Sequence, residues 1–540
     1  MVIDTVLPSA AQAAWTTLRR RLDPPELDYR LTRWLFLRLL GLIYSCAFYV
    51  LLFQLEPLIG RNGLLPVRLY LDRFGASGGG FFELPSLMWL HSGDGFMLAL
   101  ATFGLGLSLL LLVGYATGAH LLALWFLYTS FVNVGQLFYG YGWEILLLET
   151  GFLAVFLCPF VGDGWRHRSL APERTVLWLL RWLLFRVMFG AGLIKIRGDA
   201  CWTDLTCLLY HYESQPIPNP ISPLLHHMPA WFHAAGVLFN HLVELVAPFL
   251  LFATPRVRWV GAGLIAVFQM ILIVSGNLAF LNHLTIAVCV AGFDDRLWVQ
   301  VLPARFVSWV RTPNASVGPP VPKAPRRWAA AVLLLVVAYL SINPVTNLLS
   351  SRQAMNTSFD RLHLVNTYGA FGSVGKVRNE VILLGTTDPK PGPHSEWKEY
   401  EFNCKPGDPT RRPCWMSPYH YRVDWQIWFA AMTDYRTQPW IVHFAYKLLV
   451  ADPGALGLLA RDPFNGERPT ALRADLYRYR FAPVGDTAWW LRERIGEYLP
   501  LLQADSPGLR RVVESFGWPL YTEDGTSAVA TPPCPCVSDV

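Results

Sequence analysis

Long apolar runs constrain the fold of this chain more than any other feature of its sequence. Residues 34–53, 95–113 and 328–342 contain one charged residue among them, Arg38. A helix needs roughly 20 apolar residues to cross the hydrocarbon core of a bilayer, so these runs predict membrane-spanning helices. Charged residues make up 16% of the chain, below the roughly 25% that is usual for soluble domains. We therefore expect a polytopic α-helical membrane protein.

Nine spans are predicted within residues 34–342, and a soluble α+β domain is predicted over residues 343–525. In that domain, residues 380–386 and 397–402 have the β-branched and aromatic side chains of strands. Residues 424–432 and 440–450 have the periodicity of amphipathic helices. The predicted spans are 34–53, 95–113, 119–138, 145–161, 176–194, 232–252, 257–274, 277–293 and 328–342.

The segments that flank the spans differ in character. The first apolar run is expected to be a retained signal anchor, because it begins only near Leu31 and no small-residue cleavage site follows it. Residues 1–33 are expected to be a cytoplasmic N-terminal segment on the distribution of basic residues. Residues 312–326 form a proline-rich linker, and the tail 526–540 is expected to be disordered.

Arginine and lysine residues are distributed unequally between the two sides of the nine spans. With the N-terminus in the cytoplasm, the inner segments hold sixteen of them and the outer loops between spans hold five, as the positive-inside rule requires. This predicts an extracytoplasmic C-terminal domain. The net charge of +6 is not clustered, so no nucleic-acid partner is expected. The five outer residues are Arg61, Arg68, Arg73, Lys195 and Arg197.

The nine cysteines sort by this topology. Five lie within spans or in the tail: Cys46, Cys158, Cys289, Cys534 and Cys536. The other four fall on the outer side, where an oxidising compartment permits disulfides: Cys201, Cys207, Cys404 and Cys414. The simplest pairing is two local bridges, Cys201–Cys207 and Cys404–Cys414, although four cysteines allow three pairings. Nine residues separate Cys404 from Cys414 instead of the two to four that are usual for zinc, so no metal site is expected.

Ionisable residues within the spans are costly at membrane depth and are often functional. Glu149, Arg186, His241 and Glu244 are predicted to form an intramembrane polar cluster. His241 and Glu244 are three residues apart, which places both on one face of a helix. Two interpretations stay open. One is a buried ion pair, such as Glu149 with Arg186, that fixes helix packing, and the other is a polar cavity with a catalytic or ligand-binding role.

Two further regions are candidates for binding. The loop 197–231 is long and rich in prolines and aromatic residues, and long loops are often functional; a lid that only closes the helix bundle is the alternative. The C-terminal domain is rich in aromatic residues, which can serve as anchors for a protein partner or belong to the core and the membrane interface. The candidates for client binding are Trp415, Tyr419, Tyr421, Trp425 and Trp428.

Two glycine-rich motifs carry no chemistry. Residues 75–79 match the hydrolase pattern G-x-S-x-G, but they lie in a loop between the first two spans, without the strand and helix that this motif needs. Residues 369–375 (GAFGSVG) lack the lysine and hydroxyl residue of a phosphate-binding loop and are interpreted as turns.

Several blocks of the sequence resemble the lipase maturation factor family. They occur in the order expected for that family and together cover most of residues 135–520. The blocks are YGWEILLLETGF at 141–152, FGAGLIKIRGDACW at 189–202, HYESQPIPNP at 211–220, NTYGAFG at 366–372, WKEYEF at 397–402, CKPGDP at 404–409, RRPC at 411–414 and SPYHYR at 417–422.

The resemblance implies a membrane-bound chaperone that assists the folding and assembly of secreted lipases. Its client, a lipase or another secreted hydrolase, would be held by the C-terminal domain. The resemblance implies the endoplasmic reticulum membrane in a eukaryote and the inner or plasma membrane in a bacterium. It supplies no catalytic residue and no cofactor, so neither is expected.

A shorter segment around Lys195 supports an alternative. Residues 192–195 (GLIK), with Trp202 soon after, resemble part of the membrane domain of vitamin K-dependent γ-carboxylases, and this resemblance implies a membrane-embedded enzyme with Lys195 as base. If Lys195 instead only extends its ammonium group to the membrane interface, we expect Lys195→Arg to be tolerated. A transporter is disfavoured because no inverted repeat is visible.

Overall fold

A computed structural model of the chain describes residues 17–18, 20–312, 323–392, 394–521 and 527–528. Its first part is helical, and six of the helices are long and apolar enough to cross a membrane, by length and composition. They are α1 (Arg30–Ile59), α2 (Asp94–Val113), α5 (Arg174–Gly198), α6 (Ala230–Leu250), α7 (Pro255–Ser275) and α9 (Ala324–Leu349). Three shorter helices lie between these six in the chain: α3 (Gly118–Val134), α4 (Gly142–Val155) and α8 (Leu281–Gly292). The connecting segments contain further short helices.

Each of the nine predicted spans falls on one of these helices, which confirms a polytopic helical part. The predicted ends are less accurate. The third and fourth spans were predicted to reach 138 and 161, but their helices end at Val134 and Val155. The last helix runs to Leu349, beyond the predicted end at 342. Turns and polar capping residues determine where these helices end. Hydropathy does not detect these features, so the predicted ends are inaccurate.

The long helix α1 packs along α2 in the antiparallel sense. Gly104 of α2 lies against the ring of Phe48, where a Cβ atom would come within 2.2 Å of that ring, so glycine permits the close approach of the two helices. The hydroxyl of Ser45 donates to that of Ser108 at 2.9 Å. Only 28% of the residues in the apolar stretch of α2 are buried inside the protein. Most of the helix surface therefore faces outward, as expected of a helix against lipid.

Charged and polar residues gather at the end of the helical part where α1 begins, which we call the N-terminal end. The carboxylate of Asp295 accepts hydrogen bonds from the backbone N–H groups of Leu31 and Thr32. The guanidinium group of Arg33 donates to the carbonyl of Leu157 at 2.8 Å. These contacts mark one boundary of the apolar layer.

The C-terminal part, which follows α9, is built around a four-stranded antiparallel sheet. Its strands are β1 (Arg378–Thr386), β2 (Lys398–Glu399), β3 (Ala471–Phe481) and β4 (Trp490–Leu502), in the order β2-β1-β3-β4. Three helices accompany the sheet: α10 (Arg422–Ala430), α11 (Pro439–Leu449) and α12 (Pro507–Ser515). Shorter antiparallel pairs join Thr357–Ser358 to Asn366–Thr367 and Glu401–Phe402 to Leu459–Arg461.

The predicted elements of the C-terminal part are largely present. Strand 380–386 lies within β1, and helices 424–432 and 440–450 correspond to α10 and α11. Strand 397–402 is divided between β2 and Glu401–Phe402. Of the predicted tail 526–540, only Ser527 and Ala528 are described, as a short strand paired with Leu520–Tyr521. The remaining tail residues, including Cys534 and Cys536, and most of the linker 312–326 lie outside the described residues.

Candidate functional site: buried polar contacts between the two parts

Lys195 lies near the end of α5 and is buried, with 4% of its surface exposed. Its ammonium group donates to Glu244 Oε1 at 2.6 Å and to Asn240 Oδ1 at 3.0 Å, and it lies 4.9 Å from the centroid of the Trp202 ring. The expectation that this ammonium reaches the interface is therefore wrong. A carboxylate partner on α6 holds it inside the protein.

The helix α6 contains a π-helical turn at Leu242–Val246. Such a turn adds one residue to the helix and changes the direction of the side chains around it. Glu244 contacts Lys195, whereas His241 contacts the carbonyl of Trp202 through its Nε2 atom at 2.9 Å. The predicted polar cluster is thus divided, because these two side chains belong to a group around Lys195 that is separate from the pair formed by Glu149 and Arg186.

Glu149 on α4 and Arg186 on α5 form a buried salt bridge, which confirms the ion pair considered from the sequence. Residues of the C-terminal part complete it. The backbone N–H of Asn366 and the hydroxyl of Tyr368 donate to the Glu149 carboxylate at 3.0 and 2.8 Å. The sequence did not predict this completion, although both residues stand in the block NTYGAFG.

A second ion pair joins the two parts near the start of α4. Arg422, the first residue of α10, pairs with Glu144 at 2.8 Å, and both side chains are fully buried. The guanidinium group lies 3.6 Å from the centroid of the Tyr139 ring, and the Tyr128 hydroxyl donates to Glu144. Sequence reasoning missed this pair. The only signal was that Glu144 and Arg422 both belong to blocks of the family resemblance.

The loop 197–231 lies against the C-terminal part. The guanidinium group of Arg378 on β1 donates to the carbonyls of Glu213 and Pro216 at 2.9 and 2.8 Å. The indole of Trp202 donates to the carbonyl of Phe371 at 2.9 Å. Burial, together with the nearby Lys195 ammonium, lowers the pKa of His211 to about 4. The loop is therefore an ordered element between the two parts.

Both predicted disulfides are present, Cys201–Cys207 and Cys404–Cys414. The first closes a turn at the start of the loop 197–231. The second closes a turn that leads toward α10, where the carboxylate of Asp424 accepts the backbone N–H of Lys405 at 3.0 Å. Burial raises the pKa of Asp424 to about 6.

The five aromatic residues proposed for client binding do not form one exposed surface. Trp425 is buried in the core. Tyr419 accepts a hydrogen bond from α1, and Trp428 donates to the loop 197–231. Tyr421 is half-buried, and Trp415 has 52% of its surface exposed. Most of these side chains therefore join the two parts of the protein.

An open cleft of about 580 Å³ lies on the C-terminal part. Charged side chains of both signs line it, and a salt bridge between Arg492 and Glu399 at 2.6 Å forms part of its wall. Sequence reasoning did not find this cleft, because its residues come from four separate segments. The lining residues are Lys398, Glu399, Asp408, Pro409, Arg461, Asp462, Pro463, Asn465 and Arg492.

These features define a class of protein. It is an integral, multi-pass membrane protein whose C-terminal α+β part is fixed to the helices by the buried pair of Glu144 with Arg422 and by buried hydrogen bonds. Among the described residues, no group of three His, Cys, Asp or Glu side chains is arranged to hold a metal ion.

Comparisons with known proteins agree with this class. Family models described as the lipase maturation factor transmembrane domain and the lipase maturation factor C-terminal domain match residues 31–300 and 364–500. The chain is 46% identical to Lipase maturation factor 1 of Homo sapiens over 515 residues, which cover 91% of this chain and 90% of that protein. It is 48% identical to the Mus musculus protein of the same name over 517 residues, again 91% and 90%.

A more distant relative is Lipase maturation factor 2 of Mus musculus, which is 30% identical over an alignment of 604 positions, gaps included, that covers 90% of this chain and 85% of that protein. No solved structure matches the chain. The chain belongs to the lipase maturation factor family.

Proposed function

We propose that this chain is a membrane-bound folding or assembly factor for a secreted lipase or a related hydrolase. The client would be held by the C-terminal part and the loop 197–231. The observation that carries this proposal is the joining of that loop, the helices and the C-terminal part by buried contacts such as Arg378 to Glu213 and Arg422 to Glu144. A rigid surface of this kind suits a protein that presents a fixed template to a client.

The proposal includes a location. The two disulfides suit an oxidising compartment, and the charge distribution of the sequence favours an extracytoplasmic C-terminal part. The compartment would be the lumen of the endoplasmic reticulum in a eukaryote and the outer side of the inner or plasma membrane in a bacterium.

The open cleft lined by Lys398, Arg461 and Arg492 is the proposed contact for the client. Most of the aromatic candidates are engaged inside the protein, whereas the side chains of Lys398 and Arg461 are exposed. Charged groups at the edge of an interface raise the rate of encounter and select the partner.

The first test is co-expression of a secreted lipase with the full chain in cells that lack their own factor. We expect the double variant Lys398→Ala with Arg461→Ala to reduce the activity per secreted lipase molecule to nearly the value without the factor. The reason is that it removes two positive charges from the cleft. Activity and antigen in the medium are the measurements.

A matched control removes two positive charges elsewhere on the C-terminal part. Lys390 and Arg436 are both exposed and do not line the cleft, so Lys390→Ala with Arg436→Ala should keep full function. Equal effects of the two double variants would exclude the cleft as the client contact. If the unaltered chain raised no lipase activity, the proposed function itself would fail.

A second candidate function is a membrane-embedded enzyme with Lys195 as base. The observation in its favour is that the Lys195 side chain is buried beside polar groups, among them Asn240 and Glu244. A variant pair described in the Discussion separates the two candidates.

A further inference from the structure

The segment 414–421 connects the second disulfide to α10 and lies against α1. We infer that it is a re-entrant membrane segment, which enters the hydrocarbon core of the bilayer beside α1 and contacts lipid acyl chains with its exposed side chains. This assigns part of the C-terminal region to the bilayer itself.

The helix α2 gives the depth of this segment. Its 20 residues span about 30 Å at 1.5 Å per residue, which equals the thickness of the hydrocarbon core. Ser108 of α2 contacts Ser45 of α1, and it lies 14 residues from Asp94, or about 21 Å. The next residue of α1, Cys46, donates from its thiol to the carbonyl of Pro418 at 3.2 Å. Pro418 therefore lies about 20 Å from the end of α2 at Asp94.

The helix α4 gives a second, independent measure. Leu157 follows this helix at the N-terminal end, where its carbonyl binds Arg33. Glu144 lies 13 residues earlier in the chain, or about 20 Å away at the helical rise, and it pairs with Arg422. If the hydrocarbon core begins at the N-terminal end and is about 30 Å thick, it also contains the end of the segment that adjoins Arg422.

Several backbone groups of the segment have the internal partners that a bilayer requires. Irregular chain at membrane depth is tolerated only where its polar groups find partners inside the protein. The side chain of Asn277 accepts the N–H groups of Met416 and Ser417 and donates to the carbonyl of Cys414. The side chain of Gln54 donates to the carbonyl of His420 and accepts the N–H of Arg422.

Proline removes further donors from the same stretch. Pro413 and Pro418 flank and interrupt it, and proline has no backbone N–H. The N–H of Tyr419 is bonded within the segment to the carbonyl of Met416 at 2.9 Å. Side chains of α1 and of the turn after α7 thus supply the hydrogen bonds that water would supply to the backbone of a surface loop.

The exposed side chains of the segment continue the outward-facing surface of α1. Leu42, Tyr49 and Phe53 form an exposed apolar stripe on that helix. The ring of Tyr49 lies 6.0 Å from that of Tyr419, and Trp415 and Pro418 are exposed on the same segment. Because this surface is continuous with a membrane-spanning helix, lipid is the occupant that the geometry favours over a protein client.

The test uses a photoreactive benzophenone amino acid at Trp415 in the full chain, reconstituted in phosphatidylcholine vesicles. We expect phospholipid adducts on the acyl chain after irradiation, detected by mass spectrometry. The matched positions are Phe103 on α2, with 57% of its surface exposed, and Val484 in a turn of the C-terminal part, with 70% exposed. The yield at Trp415 should match that at Phe103, and Val484 should give none above background.

Three outcomes would overturn the inference. They are a lipid yield at Trp415 as low as that at Val484, adducts confined to the headgroup, and cross-links to a client or a second copy in place of lipid. If the probe at Trp415 prevents folding, the same probe at Tyr421 supplies the measurement with the same criteria, since that ring packs on Tyr419 at 4.9 Å.

Discussion

Lys195 and Glu244 form a buried ion pair, and the stability of the protein should respond differently to the loss of one partner and to the replacement of both. Removing one partner of such a pair leaves an uncompensated charge and costs about 3–5 kcal/mol, whereas replacing both is often neutral. Lys195→Met alone should therefore destabilise the protein by that amount. Lys195→Met with Glu244→Gln should restore stability, because the uncharged amide introduced on α6 can still bond to Asn240. Thermal unfolding in detergent is the measurement.

The same two variants separate a structural lysine from a catalytic one. A folding factor should regain its activity toward a co-expressed lipase in the double variant, together with its stability. A double variant that is stable but inactive would favour Lys195 as a base. Lys195→Arg does not separate the two roles, although the sequence suggested that it would. A larger guanidinium group must fit a site filled by the ammonium group, Asn240 and Trp202, so a steric clash could abolish function as well.

At the scale of elements, the second disulfide supports the segment that leads to α10. Breaking it with Cys404→Ser and Cys414→Ser should reduce stability by about 2–5 kcal/mol, the usual effect of losing a native bridge. Cys289→Ala, which removes a free buried thiol, serves as the comparison. Peptide mapping under non-reducing conditions should recover the linked peptides, and free thiols at both positions would contradict the bridge.

The sequence predicted those elements that hydropathy determines. Each of the nine predicted spans falls on a described helix because a membrane-spanning helix requires a long, mostly apolar run. The strands β3 and β4 were missed because one face of each is charged, as at Arg478 and Glu493, and their pairing is a long-range property. The contacts of Glu144 with Arg422 and of Glu149 with Asn366 were also missed because they are long-range. Local sequence patterns do not identify a partner that lies more than 200 residues away.

At the scale of the whole molecule, the sixteen basic residues of the inner segments and the five of the outer loops predict an extracytoplasmic C-terminal part. A glycosylation acceptor inserted at Gly485, in a turn of the C-terminal part, should be modified when the full chain is made in the presence of microsomes. One inserted in the linker 312–326 should not be. The reverse pattern would mean that the number of crossings, or the orientation of the chain, differs from the prediction.

The pairing of Glu144 with Arg422 has a consequence for biosynthesis. The two residues lie 278 positions apart, from 144 to 422. At about 5–20 residues per second of synthesis, the carboxylate must remain in the nascent helical part for roughly 15–55 s before its partner leaves the ribosome. The helical part is thus completed only when the C-terminal part has been made. A chain that terminates before Arg422 keeps an acidic group in its interior without the counter-ion, which destabilises its helical part.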